Sequence, residues 1–438
     1  MPELYAPVAI VGGGFSGTMV AANLARRGIG SILIEANGQA GQGTAYSTDE
    51  PAHLLNIRAN NMGAWADDPG DFAAAEGLEP DKFAPRRQYG RYLRSILDQA
   101  IGEGRVQLIE DRAVEAKQGA AGWHVRLEGG DSVQADALVL ATGNQPPAEL
   151  PFAKEAGGRL IDNPWGKKAR SAIAEAASNG ADVLIVGTSL TMVDTVLSLD
   201  QAGHRGSIVA LSRRGKIPLA GGLHDPAPVD WNDLPVLTVR EIAKWLRNRS
   251  AAVNWRSAID SLRPHSHRIW QSFSTGEKRR FLRFGRPWWD IHRHRIAPEV
   301  AATVARLVAD GRLEIIAGRI ATVEPDDGGV EVSVRRRGKP EPGTSRRFGY
   351  IFNCTGPLAD IGRTDEPLIR QLLDSGLVRP DELAIGLQVD EQSRAGPGER
   401  LWALGTLSKG RYWEIIAVPD IREQAAAVAE DIAMELGR

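Results

Sequence analysis

Residues 8–35, VAIVGGGFSGTMVAANLARRGIGSILIE, decide the fold. An apolar run, three spaced glycines, a small-residue helix and a second apolar run ending in an acid together make one dinucleotide-binding unit. Gly12 allows the tight turn out of the first strand, Gly14 lets the backbone approach a pyrophosphate, and Gly17 lets the helix pack closely on the strand. Phe15 and Ser16 open that helix, whose free N–H groups and macrodipole favour negatively charged phosphates. Glu35 ends the second run, where a carboxylate accepts hydrogen bonds from ribose hydroxyls. The glycines alone would equally suit a turn without a ligand. The preceding strand, Ala21, Ala22 and Ala25 along the helix, and the acid at this distance favour the phosphate loop.

The chain of 438 residues, 42% hydrophobic, is long enough for two or three domains with sizeable cores. A net charge of -2 argues against a polyanion-binding surface over the whole molecule. No apolar run approaches a membrane span, and the first strand begins within ten residues of Met1, so a cytoplasmic protein without a cleavable signal or membrane contact is expected. Cys354 is the one cysteine, which excludes an internal disulfide and a redox-active cysteine pair within this chain.

The chain then repeats its own plan. After Glu35 come a loop-rich segment, a helix near 87–103, and a stretch from Val106 to Leu140 that reads as an antiparallel meander followed by a buried strand ending in VLATGN. DVLIVG at 182–187 begins a second unit, with a helix from about Ser189 to Ala202, a strand at 207–212, a helix at 298–309, a meander at 313–335 and the strand YIFNCTGP. Both halves run an apolar strand into a Thr-Gly turn, at Thr142 and Gly143 and again at Thr355 and Gly356. The expected class is therefore α/β: two Rossmann-like dinucleotide-binding domains, the second inserted into the first, plus a mainly helical insertion.

This order of motifs resembles the FAD/NAD(P)-binding flavoproteins of the glutathione-reductase-like fold, and the N-terminal place of the first loop agrees. More narrowly, GTAYST at 43–48, HLLNIRANNMG at 53–63, PRRQYGRYL at 85–93, DNPW at 162–165 and RPWWDIHRHR at 286–295 look like the YdhS-type proteins, with which FAD-dependent hydroxylation of urate is associated. The resemblance implies FAD, reduced by a nicotinamide cofactor. It divides the chain into an FAD-binding part at 1–157, an NAD(P)-binding-like domain at 158–356 carrying a helical substrate insertion at 215–297, and a second FAD-binding part at 357–438.

Residue by residue, the resemblance puts Gly12, Gly14, Gly17 and Glu35 on the ADP half of FAD, the Val114 backbone on adenine, and Thr142 and Gly143 in the turn closing over the cofactor. Gly43, Thr44 and Tyr46 reach toward the flavin end, with Asn56 nearby; for Tyr46 and Asn56, turn packing and loop capping are equally good readings. The C-terminal run ALGTLSKGRYWEIIAVPDIREQA departs from the usual Gly-Asp pair, because Thr406 follows Gly405, so a hydroxyl or backbone N–H has to replace the acid. Pro419 and Asp420 open a final helix including Ile421, whose N-terminus either faces the flavin pyrimidine or is simply capped.

The second loop, VGTSLTMVD at 186–194, keeps Gly187, Thr191 and Asp194 but has Ser189 in place of the second glycine and Met192 in place of the third. NADPH is expected over NADH because Arg213 and Arg214 end the next strand and suit a 2'-phosphate. The same pair can instead bind an anionic substrate or cover the surface.

The insertion mixes guanidinium groups, imidazoles and large aromatic faces, which can clamp a planar anion. Arg286, His265, His267, His292 and His294 are the catalytic candidates, since imidazole titrates near neutrality. His292 and His294 alternate on a strand-like or irregular path and with Asp290 make only a weak metal signal; histidines paired with Asp290, or solvated on a helix surface, are the favoured reading, and no metal is expected. Basic residues interleaved with aromatics also suit nucleic acid, but near-neutral charge and two nucleotide loops argue against it. The sequence thus points to an FAD-dependent, NAD(P)H-using monooxygenase acting on a small, anionic or N-heterocyclic substrate. A flavin-dependent dehydrogenase, oxidase or reductase without oxygen insertion, and a non-catalytic FAD-binding redox sensor, remain open alternatives.

Overall fold

A computed structural model describes residues 4–120, 122–341, 343, 345–396 and 400–437. The strands in chain order are β1 (Leu4–Val11), β2 (Ser31–Ile34), β3 (Val106–Ile109), β4 (Ala113–Gly119), β5 (Gly122–Leu127), β6 (Ser132–Leu140), β7 (Leu160–Ile161), β8 (Val183–Val186), β9 (Ile208–Ser212), β10 (Leu313–Asp326), β11 (Gly329–Arg336), β12 (Arg346–Phe348), β13 (Tyr350–Asn353) and β14 (Leu401–Ala403). They form two sheets, ordered β3-β2-β1-β6-β5-β4 with β14 also on β6, and β12-β11-β10-β9-β8-β13-β7.

In the first sheet β6 serves two partners along one edge. Its start, Ser132–Ala135, pairs antiparallel with β5, while Leu138–Leu140 pairs parallel with β14. The C-terminal segment is thereby returned beside the first strand-helix unit. Alternation along β1 fills two cores: Val8 and Ile10 face the helices Phe15–Arg26, Arg86–Gly102 and Val418–Glu435, whereas Ala9 and Val11 face the meander and the helix Pro367–Asp374. The second sheet repeats the scheme, with β8 between β9 and β13 and β10 continuing from a parallel into an antiparallel strand.

Both meanders depart from the expectation in the same way. Val106–Ile109 pairs parallel with β2 as the edge strand of the first sheet, and Leu313–Ala317 pairs parallel with β9 inside the second, so each adds a parallel strand before the antiparallel ribbon begins. Alternation alone cannot tell these two pairings apart.

The insertion folds into short helices, the longest at Val239–Ala252 and the last at Arg286–Arg293. Its apolar centre, Leu262, Ile269, Trp270 and Phe273, packs against Leu383, Ile385 and Trp413 of the C-terminal segment. Trp270 stacks on Trp413 with ring centroids 5.0 Å apart and donates its indole N–H to the Gly410 carbonyl at 2.8 Å. The insertion therefore leaves the second sheet in sequence yet seats itself on the segment that closes the first. Among the described residues, no helix is long and apolar enough to cross a membrane.

Candidate functional site

The glycines of the first loop are required by contact as well as by turn geometry. Gly12 has φ +104°, and a Cβ there would lie 2.3 Å from the Ala141 carbonyl oxygen; at Gly17 it would lie 1.9 Å from the Gly12 carbonyl oxygen. Gly14, by contrast, faces space: its nearest neighbour would be Gly43 Cα at 3.8 Å. Glu35, 6% exposed, accepts the Gly13 N–H at 2.7 Å and the Asn37 N–H at 2.9 Å, bracing the loop while each oxygen keeps a further lone pair.

Three more segments converge on the start of the helix Phe15–Arg26. Thr142 lies against Gly12, Gly43 lies against Gly14, and Gly405 sits so close to Ser16 that a Cβ would come within 2.7 Å of its hydroxyl. Gly405, at φ +62°, donates its N–H to Gln424 at 2.8 Å. Thr142 Oγ1 and Thr406 Oγ1 are buried and have no hydrogen-bond partner among the described residues. Buried hydroxyls are ordinarily satisfied, so two orphans beside an open phosphate-type loop fit a polar ligand such as a dinucleotide.

The remaining first-sheet candidates are arranged around this centre. Phe15 is buried with its ring 6.4 Å from that of Tyr89, Ile421 is buried in the first turn of the final helix, and Gly143 takes φ +71°. Tyr46 meets Tyr89 edge-on at 4.7 Å, and burial raises its hydroxyl to about 12, so it is a neutral donor. Thr44 is exposed, Asn56 is half-buried, and Val114 lies in β4 at a register shift against β5.

The second loop is built differently. Gly187 matches Gly12, with φ +119° and a Cβ position 2.0 Å from the Cys354 carbonyl oxygen. Met192 occupies the place of Gly17 and buries a full side chain where the first loop has room for none. Ser189 is exposed at the helix start, with Thr191 half-buried beyond it. Thr188 bonds Ser212 and the Lys216 carbonyl, which ties the loop to the basic turn.

Arg213 and Arg214 separate in the structure. Arg213 is exposed and makes no ion pair or hydrogen bond among the described residues; Arg214 donates to the carbonyls of Arg283 and Phe284, anchoring the insertion. Lys216 joins them, its ammonium 3.2 Å from the centre of the Trp288 ring; burial and the charges of Arg214 and Arg337 lower its pKa. Lys216 carried no motif that would have singled it out in the sequence.

The motifs at 53–63 and 85–93 place a clamp between the two sheets. Arg86 forms a 2.8 Å ion pair with Asp194, and His53 Nε2 lies 3.0 Å from both the Asp194 carbonyl and Ser198 Oγ. Trp165 meets the His53 ring edge-on, held in a turn where the Asn163 side chain accepts its N–H. Cys354, behind Asp194, is buried, and burial raises its thiol to about 12.

Of the five catalytic candidates, four are engaged. His265 bonds the Val229 carbonyl, His292 bonds the Trp288 carbonyl, Arg286 donates to Asp290, and half-buried His294 lies 4.0 Å from Asp290 and 3.8 Å from Glu414, desolvation lowering its pKa. The strand-like path is corrected in favour of the helical alternative: His292 sits on the helix Arg286–Arg293, with Pro287 in the first turn and the Arg286 to Asp290 pair spanning one turn, and His294 follows directly with Asp290 at 4.0 Å. Among the described residues, no group of three or more His, Cys, Asp or Glu side chains gathers to hold a metal ion.

His267 packs its ring 5.4 Å from that of Tyr412 and is the candidate without a hydrogen bond among the described residues. Its Nε2 is buried without a partner, and its ring borders a cavity of about 320 Å³ between the insertion, the loop at Asn61 and the first turn of the final helix. Burial lowers the His267 pKa, although the Asp420 and Glu414 charges oppose this. Beside the cavity a buried network joins insertion to C-terminal segment: Glu414 accepts the Trp289 indole N–H at 2.8 Å and pairs with Arg293 at 3.2 Å. Lys409 lies in the same region, pushed down to about 8 by burial and by the Arg286 charge.

Residues 9–145 match a family model described as FAD-NAD(P)-binding. No curated protein matches the chain in sequence. Similar solved structures include the ornithine N-hydroxylase of Kutzneria sp. 744 with reduced FAD, NADP+ and L-ornithine, at 15% identity, 99% of this chain, 100% of that one and TM-score 0.70. L-lysine 6-monooxygenase from Pseudomonas syringae is similar at 16% identity, 98% and 99% coverage and TM-score 0.66. The bacillithiol disulfide reductase of Staphylococcus aureus follows at 14%, 99% of both chains and 0.60. At these identities the likeness establishes the fold, a mixed α/β architecture of two Rossmann-like parallel sheets.

Proposed function

We propose that this chain is an FAD-dependent, NAD(P)H-using oxidoreductase, and more narrowly a monooxygenase hydroxylating a small anionic or N-heterocyclic, urate-like substrate of the kind associated with the YdhS-type proteins. The reading rests above all on the convergence at the first loop, where Gly14 faces open space and the hydroxyls of Thr142 and Thr406 are buried and unpartnered. Bound there, FAD would accept hydride from a nicotinamide and supply reducing equivalents for chemistry with oxygen.

The chain's residues divide the work. Residues 1–157 and 357–438 hold FAD: the loop at 12–17 takes the pyrophosphate on its N–H groups, Glu35 takes ribose hydroxyls with its spare lone pairs, and Thr142 and Thr406 donate where the usual acid is missing. The first turn of the helix Val418–Glu435 directs the positive end of its dipole toward the flavin end, its Asp420 and Ile421 N–H groups being bonded to the Ala417 carbonyl. Residues 158–356 hold the nicotinamide cofactor, with Arg213 free for a 2'-phosphate and the Arg86–Asp194 pair fixing one sheet against the other. A single cysteine with a raised pKa leaves no dithiol relay, which separates this chain's chemistry from dithiol electron transfer. A cytoplasmic location, where reduced nicotinamides are supplied, suits this role.

The departure at Met192 favours one second reading, an oxidase or dehydrogenase reduced by its own substrate, with the second loop no longer working as a hydride site. Anaerobic mixing with NADPH and with NADH decides between them. Rapid bleaching of the flavin absorbance by NADPH, followed after oxygen is admitted by formation of a hydroxylated product, supports the monooxygenase. No bleaching by either nucleotide refutes it.

A further inference from the structure

The basic turn after β9 carries charge that the chain does not answer. Arg213 is exposed, and neither it, Lys216 nor Arg337 forms an ion pair among the described residues. The charges that act on Lys216 come from Arg214 and Arg337, both positive. Like charges held this close favour an anion that the chain itself does not supply. The turn is fixed in place: Gly215 takes φ +59° with its Cβ position 2.9 Å from the Ala317 amide nitrogen, and Thr188 of the second loop bonds both Ser212 and the Lys216 carbonyl.

An aromatic ring from the insertion lies against this charge. The Lys216 ammonium is 3.2 Å from the centre of the Trp288 ring, yet Trp288 stays 54% exposed, so the ring opens to solvent away from Lys216. Packing does not put it there, because its neighbour Trp289 turns inward to Glu414 while Trp288 stands outside the insertion's apolar centre. Arg214 does: its guanidinium takes the carbonyls of Arg283 and Phe284 in the wide π-type turn Phe281–Gly285, directly before the helix that carries Trp288. Such turns are rare and recur at functional sites.

A single group answers both features. In an adenosine 2'-phosphate the base and the phosphate leave adjacent carbons of one ribose, so a flat ring and an anion arrive side by side. We propose that Trp288 is the adenine platform of the second nucleotide site, stacking the base on its open face while Lys216 joins Arg213 on the 2'-phosphate. The insertion thereby supplies part of a site whose own loop has Ser189 and Met192 where glycines are usual. The inference rests on the nicotinamide reading above for the nucleotide itself, and adds the residue that holds its base.

The test is calorimetric titration of the full chain loaded with FAD, using adenosine 2',5'-bisphosphate and adenosine 5'-monophosphate, which differ only in the 2'-phosphate. The bisphosphate is expected to bind about 10- to 100-fold more tightly. Lys216→Met should weaken the bisphosphate by about 10-fold and leave the monophosphate unchanged. Trp288→Ala should weaken both by about 10-fold, and Trp288→Phe, which keeps an aromatic face, should restore most of the loss. Bound FAD per chain stays constant in all three variants, which separates a lost contact from a lost fold. Equal affinity of the parent for the two nucleotides, equal weakening of both by Lys216→Met, unchanged binding in Trp288→Ala, or loss of FAD in any variant overturns the proposal. A parent that binds neither nucleotide nor NADPH refutes the nicotinamide reading and this proposal with it, whereas NADPH binding alongside any of the preceding results refutes the adenine platform alone.

Discussion

Removing Asp194 tests how the two sheets are held together. Its carboxylate and the Arg86 guanidinium meet at 2.8 Å with side chains only 7% and 12% exposed, so solvent screens the pair weakly. Asp194→Ala leaves the guanidinium almost buried, with only the Leu54 carbonyl to accept from its Nε at 3.1 Å. Breaking one partner of a buried pair costs about 3–5 kcal/mol, because the residual charge is stranded. Replacing both partners by apolar groups, as in Arg86→Met with Asp194→Leu, removes that stranded charge and should come within about 1–2 kcal/mol of the parent. Hence the single change is expected to be worse than the double one. Urea titration of all three variants provides stability, and the rate of flavin reduction by NADPH provides domain alignment. If the single variant loses less than about 1 kcal/mol, or the double variant is no more stable than the single, the pair is not the clamp inferred here.

Other outcomes follow from single contacts. Arg213→Ser should weaken NADPH by about 10- to 100-fold and leave NADH nearly unchanged, whereas Arg214→Ser, which frees the carbonyls of Arg283 and Phe284, should affect both alike; Kd values for the two nucleotides check this. Cys354, its thiol raised to about 12 and buried, should resist alkylation in the native protein and react only after unfolding, read by mass spectrometry. Lys409 ionises at about 8 when folded against an ordinary value of 10.5, so the unfolded chain binds the extra proton between those values and stability should rise from pH 8 toward 10. The gain is at most about 3 kcal/mol, and thermal unfolding across that range should show it flattened in Lys409→Met.

Local chemistry explains which parts of this molecule were legible in its sequence. The loop at 12–17 was readable because its constraints lie within a few residues: φ +104° at Gly12 and the absent Cβ at Gly17 write themselves as glycines. The two Thr-Gly turns were readable for a similar reason. The pairing of Val106–Ile109 was not, because a four-residue apolar strand has the same pattern whether its neighbour runs parallel or antiparallel. Nor was the split between Arg213 and Arg214, adjacent and chemically identical, which only the position of residues 283–284 separates. Among the histidines, composition offered equal candidates, and burial and partners chose His267.

The seating of the insertion is where sequence order misleads most. Residues 215–297 leave the strand that ends at Ser212 and return to the helix at Pro298, so the chain assigns them to the second sheet. Yet their aromatic core closes on Trp413, their Trp289 and Arg293 hold Glu414, and Trp270 bonds Gly410, all in the segment between β14 and the final helix. That segment also carries Gly405 and Thr406 at the first loop. A displacement of the insertion is therefore transmitted to the first loop through a few residues of chain, while Arg214 ties the same insertion to the basic turn of the second sheet. One body thus contacts both the segment that carries Gly405 and the basic turn after the second loop, and lines the cavity at His267. A ligand that orders the insertion would then stabilise both regions by linkage, and FAD retention measured against urate concentration would show it. FAD affinity independent of urate, where urate binds, would mean the insertion is a passive wall.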